Sequence, residues 1–391
     1  MTTLLTIKVY FDIMKKTYFG GEMKKLFAIT LSLVFVLALF GCAPEYGGEN
    51  NHKEIEYRTT MPFYDGFKIL QLTDLHLGIE SDLEQQLGLV KKYIMDAQPD
   101  LIILTGDNFM YANKSIVYNL VKTLNDSCSE LTKDRGRLTK FAITYGNHDN
   151  QGDYPRYYMN EVIMSFTTKD GQEIKDNKYG AFVDYEDDRL FGFTNYFIDL
   201  VDESNPDDVK YRVHIIDSNT YHYDGTKYKY DVIHEEQLAH AYNIYQNATE
   251  DNEYIGLAFF HIPLCEYQEA WDQYKESSNP DQLGQGLYEE PVLHPYENNG
   301  SYKRLRDANI VAFFAGHDHI NYGDLIYTDN DGQKSILSYG VKATNQLYHN
   351  EEMIGYKAIV LKDNVTKEEF VTIDYIKENF ENVKTGYEYY E

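Results

Sequence analysis

Short apolar runs alternate with helical patterns along the first half of the chain. Residues 67–72, 101–104 and 140–144 are mostly apolar and bounded by turn residues, as expected of strands buried inside a sheet. Between the first two, residues 81–97 place Leu83, Leu87, Val90 and Ile94 at helical spacing behind Ser81 or Asp82 as a cap. A second helix is predicted over 114–124. Right-handed crossovers return each parallel strand in the same direction, so this βαβαβ unit brings three strand ends to one edge. The fold class is α/β.

Further along, the pattern is less regular. Strands are predicted at 181–184, 190–193 and 211–217, and a helix at 233–246. Residues 255–260 form another apolar run, 282–299 read as a loop, and 302–308 as a helix. Residues from 310 run apolar up to Gly316, and alternation over 325–328, 335–339, 356–361 and 370–375 predicts a closing set of antiparallel strands.

Each apolar strand of the unit, and two later ones, breaks into Asp, Asn or His. The ends carry Asp74 and His76, then Asp107, Asn147 with His148 and Asp149, His261, and finally His317 and His319. Alternate residues on an extended segment face the same way, so Asp74 with His76 and His317 with His319 can each reach a common centre. Imidazole, carboxylate and amide oxygen without thiolate suit Mn, Fe or Zn and differ from a Cys-rich structural zinc site. Seven ligands exceed the needs of one such ion. Two divalent or mixed-valence ions sharing one carboxylate would use them all, an arrangement suited to displacement at phosphorus.

Composition narrows the partners. The chain has 391 residues and a formal charge of −27, which argues against long nucleic acid or an anionic lipid surface as the bulk partner. Residues 23–42 carry Lys24 and Lys25, an apolar stretch, then Gly41 and Cys42, the layout of an export signal. This segment resembles a lipoprotein lipobox, with Cys42 as the lipidated residue and Met23 as the initiator. The expected organisation is a signal and lipobox segment at 1–42, a linker at 43–65, a catalytic domain at 66–375 and a tail at 376–391. Export would place the protein on the outer face of the cytoplasmic membrane, anchored through lipid on Cys42. Cys128 and Cys265 are far apart and read as isolated, inert thiols. No protein partner is readable.

The blocks Asp74-Leu75-His76, Gly106-Asp107, Gly146-Asn147-His148-Asp149, His261 and Gly316-His317-Asp318-His319 stand in one order. In this the chain resembles the calcineurin-like metallophosphoesterase superfamily, and the segment 261–267 with 316–319 resembles its purple-acid-phosphatase-like branch. The resemblance implies two mixed β-sheets packed as a sandwich and flanked by helices, with the metals at the strand ends. It implies that Asp74, His76 and His319 hold one metal, Asn147, His261 and His317 the other, and Asp107 bridges them. His148 would be the catalytic residue that binds no metal, and Asp149 either orients its imidazole or serves as a cap or surface residue. The nucleophile would be a metal-bound water or hydroxide, and the substrate a small phosphate mono- or diester. Purple enzymes need a tyrosine three residues after the Gly-Asp aspartate; Met110 stands there, which argues against a tyrosinate-ligated iron. A metal-binding lipoprotein and a non-catalytic surface protein keeping the same fold are the alternative readings.

Overall fold

The computed structural model describes residues 59–78, 82–167, 173–174, 177–182, 190–246, 254–363 and 370–377. The signal segment, Cys42 and most of the expected linker lie outside the described residues. In chain order the strands are Thr59–Phe63 (β1), Phe67–Leu72 (β2), Leu101–Thr105 (β3), Lys140–Thr144 (β4), Phe166–Thr167 (β5), Glu173–Ile174 (β6), Tyr196–Asp202 (β7), Asn205–Ile215 (β8), Tyr221–Tyr223 (β9), Tyr228–Tyr230 (β10), Ile255–Phe259 (β11), Gly284–Tyr288 (β12), Ile310–Ala315 (β13), Asn321–Thr328 (β14), Lys334–Tyr339 (β15), Gly355–Leu361 (β16) and Val371–Lys377 (β17). The helices are Leu83–Ala97 (α1), Lys114–Arg135 (α2), Arg156–Met164 (α3), Glu235–Gln246 (α4), Glu266–Glu276 (α5) and Ser301–Asp307 (α6).

Two mixed sheets carry the domain. One has the order β17-β16-β2-β3-β4, with β2, β3 and β4 parallel; the other runs β1-β7-β8-β11-β13-β15-β14-β12, with β8, β11, β13 and β15 parallel. Side-chain alternation sorts the layers. Ile69, Leu101, Ile103 and Ala142 meet Val213, Leu257, Phe259 and Phe314 between the sheets. Their neighbours Leu70, Ile102, Leu104 and Ile143 face the other way, onto α1, α2 and α3. On the far side of the second sheet, Ala258, Phe313 and Leu337 pack under α4, α5 and α6. The order is therefore helix, sheet, sheet, helix. Each fully buried aliphatic side chain of this kind contributes about 1.5–3 kcal/mol.

Several expected boundaries move. Residues 59–63 were expected as linker but form an edge strand parallel to β7. The linker reading rests on the Pro, Gly and charged residues upstream of the strand, at 44–58, and the edge strand that follows tolerates Pro62 because one side of it has no neighbour to bond. Helix α2 runs eleven residues beyond the predicted end, because Cys128 and Leu131 sustain its buried face until Gly136 caps it at φ 70°. The loop expected over 282–299 contains the edge strand β12. The closing strands do not form one set: β14 and β15 extend one sheet, and β16 and β17 the other. The last strand reaches Lys377, past the expected domain end at 375.

The middle of the chain departs most. No strand covers 190–193, Ala181 lies buried between the sheets outside any strand, and residues 183–184 fall outside the described residues. The strand is instead β7, whose sequence YFIDLVD is interrupted by a fully buried aspartate. Asp199 sits directly opposite Arg212 on β8, and the guanidinium donates two hydrogen bonds to it, at 2.6 and 2.9 Å. A charge inside an apolar run hides the strand until its partner is known. Asp199→Ala should lower unfolding stability by about 3–5 kcal/mol in urea, because Arg212 would keep a buried charge without a counterion. The double change Asp199→Leu with Arg212→Met should recover most of that loss; a double variant no more stable than Asp199→Ala would contradict this account.

Candidate metal centre

All the sequence-selected ligands sit just beyond carboxyl ends of parallel strands. β2 delivers Asp74 and His76, β3 Asp107, β4 Asn147, β11 His261, and β13 His317 and His319. The chain must turn sharply there, and the backbone shows it. Among the described residues nine non-glycine positions have positive φ, and four of them are Asp74 (55°), His76 (48°), Asp107 (49°) and His317 (80°). Such left-handed conformations are costly for residues with a Cβ and persist where the surroundings over-determine them. Two glycines give the close approach. A Cβ on Gly146 would lie 2.2 Å from Asp107 Oδ1, and one on Gly316 would lie 2.0 Å from the Thr73 hydroxyl.

Each carboxylate has one oxygen held and one left over. Asp74 Oδ2 accepts from the Thr73 hydroxyl at 2.8 Å and from the His317 N–H at 3.0 Å, while Oδ1 has no partner within the protein. Asp107 Oδ1 accepts from the His148 N–H at 2.8 Å, and its buried Oδ2 has no hydrogen-bond partner. These two leftover oxygens face imidazoles. Asp107 Oδ2 lies 3.2 Å from His261 Nε2 and 3.8 Å from His76 Nε2, and Asp74 Oδ1 lies 3.5 Å from His319 Nε2. Ligand atoms of Asp74, His76, Asp107 and His319 lie within 4.8 Å of one another, as do those of Asp107, His261 and His317. Asp107 belongs to both groups. Asn147 is beside them, its Nδ2 donating to the Tyr221 hydroxyl at 2.7 Å and its buried Oδ1 without a partner.

The outer shell fixes the inner one. His261 Nδ1 lies 2.9 Å from the Thr105 carbonyl, and His319 Nδ1 2.9 Å from the Tyr348 carbonyl. A carbonyl only accepts, so Nδ1 carries the proton in both and Nε2 presents a lone pair inward. Burial opposes charge on Asp74, but His319 and His76 outweigh it and hold the carboxyl well below the usual range. Burial also works against a proton on His261, yet Asp107 beside it lifts that imidazole to about 9. His76 and His317 are pushed down, to about 4 and about 3, mainly by burial. His76 and His317 are thus held neutral, His261 is paired with the Asp107 carboxylate, and the cluster of imidazole and carboxylate ligand atoms fits a pair of divalent cations.

Beyond the metal donors, the structure places His148 and Asp149 differently. The His148 side chain is a quarter exposed, with Nε2 4.0 Å from Asp107 Oδ2 and its ring edge-on to His76 at 5.2 Å. Asp149 is neither a surface residue nor an orienter of that ring. It is buried, and accepts from Phe109 N, Gly146 N and Asn108 Nδ2 at 2.7, 2.8 and 3.2 Å. Both its oxygens are spent tying the loop after β3 to the loop after β4. Burial, with Asp107 nearby, pushes its carboxyl up to about 7. Tyr111, after Met110, is 60% exposed. Cys128 and Cys265 are free thiols, as expected, with Cys265 only partly buried.

Residues 67–321 match the calcineurin-like phosphoesterase family. The chain belongs to that family. Among the relatives of this chain, Phosphatase DCR2 of Saccharomyces cerevisiae is 25% identical over 298 residues, covering 70% of this chain and 47% of the yeast protein. The chain thus spans about half the length of that relative. Probable inactive purple acid phosphatase 28 of Arabidopsis thaliana is 24% identical over 289 residues, covering 65% of this chain and 66% of the plant protein. Among solved structures, a dimetal phosphatase from Danio rerio shares 12% identity over 77% of this chain and 94% of its own, with a TM-score of 0.46.

Sequence reasoning missed three tyrosines that touch the candidate ligands. Tyr221 holds Asn147, the Tyr230 ring stands edge-on to His317 at 4.4 Å, and Tyr348 stacks on His319 at 4.2 Å. The first two had a signal: Tyr-His-Tyr, Asp224-Gly225, then Tyr-Lys-Tyr is the alternation of a hairpin around a turn. It also missed Lys342, whose buried ammonium donates to the Asp74 carbonyl at 3.0 Å. Loading with Mn²⁺ should raise the melting temperature, because a cation bound only by the folded state at about 100 times its Kd adds about 2.7 kcal/mol. Asp107→Asn should abolish most of that shift and leave fewer than two metals per chain by elemental analysis; an undiminished shift would mean the shared carboxylate holds no metal.

Proposed function

We propose that this chain is a dinuclear-metal phosphoesterase that hydrolyses small phosphate mono- or diesters outside the cytoplasm. The observation that carries the reading is the buried Asp107 carboxylate, common to two groups of ligand atoms, with its Oδ2 facing imidazoles on both sides. Asp74, His76 and His319 would hold one metal, Asn147, His261 and His317 the other, with Asp107 between. Bound there, such ions supply Lewis acidity at the phosphoryl oxygens and bring the pKa of a coordinated water to about 7.

The protein's own groups do the remaining work. Thr73 and the N–H groups of His317 and His148 hold the carboxylates in register, and the carbonyls of Thr105 and Tyr348 hold two imidazoles in the ligating tautomer. Asp149 keeps the loop bearing His148 against the loop bearing Asp107. His148 stands on the open side of the group, where its imidazole can donate to a phosphoryl or leaving-group oxygen. The acidic surface turns long polyanions away, and a local cation pair still attracts a small phosphate ester.

Two features favour an enzyme over a metal-delivery protein or an inert surface protein. Delivery needs one closed site of about four ligands, and here seven donors divide around a shared carboxylate. Neither alternative needs an exposed imidazole at the mouth. The names of some relatives call those proteins inactive; this chain retains every donor of the family motif. Export rests on residues 23–42 alone.

With Mn²⁺ present, p-nitrophenyl phosphate and its bis ester should both be tested as substrates of the wild type and of His148→Ala. The variant should lose about 10²–10⁴-fold in kcat, the usual worth of a positioned acid or base, while keeping its metal. Equal activity in the variant would remove His148 from the chemistry, and no activity toward either ester in the metal-loaded wild type would favour a binding protein. Cys42→Ser should move the protein from the membrane fraction to the soluble fraction of the host cell; unchanged membrane association would rule out the lipid anchor.

A further inference from the structure

The two-stranded hairpin of β9 and β10 pairs Tyr221 with Tyr230, His222 with Lys229, and Tyr223 with Tyr228. Because side chains alternate across a strand, the four tyrosines share one face and His222 and Lys229 the other. The back of the hairpin is pinned. His222 stacks on Tyr296 at 4.4 Å, Tyr296 N donates to the Tyr230 carbonyl at 2.9 Å, and Asp231 N donates to the Thr220 carbonyl at 3.2 Å. The tyrosine face is graded. Its inner pair meets the candidate metal ligands, Tyr221 through the Asn147 amide and Tyr230 against the His317 ring. Its outer pair, Tyr223 and Tyr228, is 54% and 72% exposed, with ring centroids 5.0 Å apart. Tyr221 links the pairs, 5.6 Å from Tyr230 and 6.5 Å from Tyr228.

Strand propensity accounts for tyrosines in a hairpin, but not for four on one face running outward from the metal ligands. We infer that this tyrosine face is the leaving-group subsite, and that it selects phosphate esters whose leaving group carries a flat aromatic ring. The inference rests on the phosphoesterase reading. Tyr221 and Tyr230 stand against Asn147 and His317, so an ester substituent leaving the ligand cluster on that side would run along the tyrosine face. A planar substituent can then stack on the outer rings without any sequence of hydrogen bonds to match, as aromatic platforms do for bases. A branched or flexible aliphatic substituent gains little there. Tyr223 and Tyr228 act on specificity alone, since neither is placed against a candidate metal ligand.

The test uses two phosphate monoesters of a ribose 5-hydroxyl, adenosine 5′-monophosphate and methyl β-D-ribofuranoside 5-phosphate, which carry adenine and methoxy respectively at the anomeric carbon. With metal-loaded full chain, kcat/KM should favour the nucleotide by about tenfold, the worth of a stacked base. In the double variant Tyr223→Ala and Tyr228→Ala the nucleotide should fall to near the sugar ester, with the sugar ester unchanged within about twofold. Equal rates in the wild type, or a preference that survives the double variant, would overturn the inference, as would a preference for the sugar ester. If neither ester turns over and p-nitrophenyl phosphate and its bis ester also fail, the phosphoesterase reading is at fault; whenever the two ribose esters fail, the subsite is read instead by calorimetric binding of their two uncleavable phosphonate analogues. Tighter binding of the nucleoside phosphonate that is lost in the double variant would support the aromatic subsite; equal affinities would overturn it.

Discussion

A buried carboxylate with one oxygen tied down and the other facing imidazoles is the feature the domain is arranged to hold. Asp107 is fully enclosed, and its backbone sits in the left-handed region directly after a glycine. Leaving such a group without a counterion in low dielectric would be costly. Four imidazoles, a second carboxylate and an amide oxygen gather around it from four other strand ends, a composition that suits a cation site. The parallel strands of both sheets supply the rigidity. Their central segments are buried on both faces, so the turns that follow them are fixed in space before any ligand arrives.

The chain as a whole is strongly acidic, yet several of the groups that touch this centre are neutral. Thr73, Thr105, Tyr221, Tyr230 and Tyr348 supply the contacts around the ligands, through hydroxyls, carbonyls and rings. Lys342 is the exception, a buried ammonium beneath the Asp74 carbonyl whose pKa burial lowers to about 8. Under the proposed function, the field of the acidic surface would exclude extended polyanions at range while a cation pair would act at contact distance, which together would favour small esters.

Much of this was legible in the sequence because two signals coincided there. Uninterrupted apolar runs locate β2, β3, β4, β11 and β13, and the polar residues that end them are the ligands; burial and chemistry are written in adjacent positions. Where the signals separate, sequence reasoning fails. β7 is hidden by Asp199, whose counterion lies on the next strand, and β1 by the Pro, Gly and charged residues just upstream of it. Asp149 reads as a partner of the neighbouring imidazole, yet its carboxylate reaches across to a loop forty residues earlier. Tyr348 could not have been found, since it joins the site through a stretch without periodicity. The tyrosines of β9 and β10 could have been, from their alternation around Asp224-Gly225.

The central claim is that Asp107 lies between two cations. Crystals of the protein grown with Mn²⁺, with anomalous diffraction measured on either side of the manganese edge, test it most directly. Two anomalous peaks about 3.5–4 Å apart, one beside Asp74, His76 and His319 and the other beside Asn147, His261 and His317, are the predicted result. A single peak, or two peaks of which only one lies within bonding distance of Asp107, would contradict it.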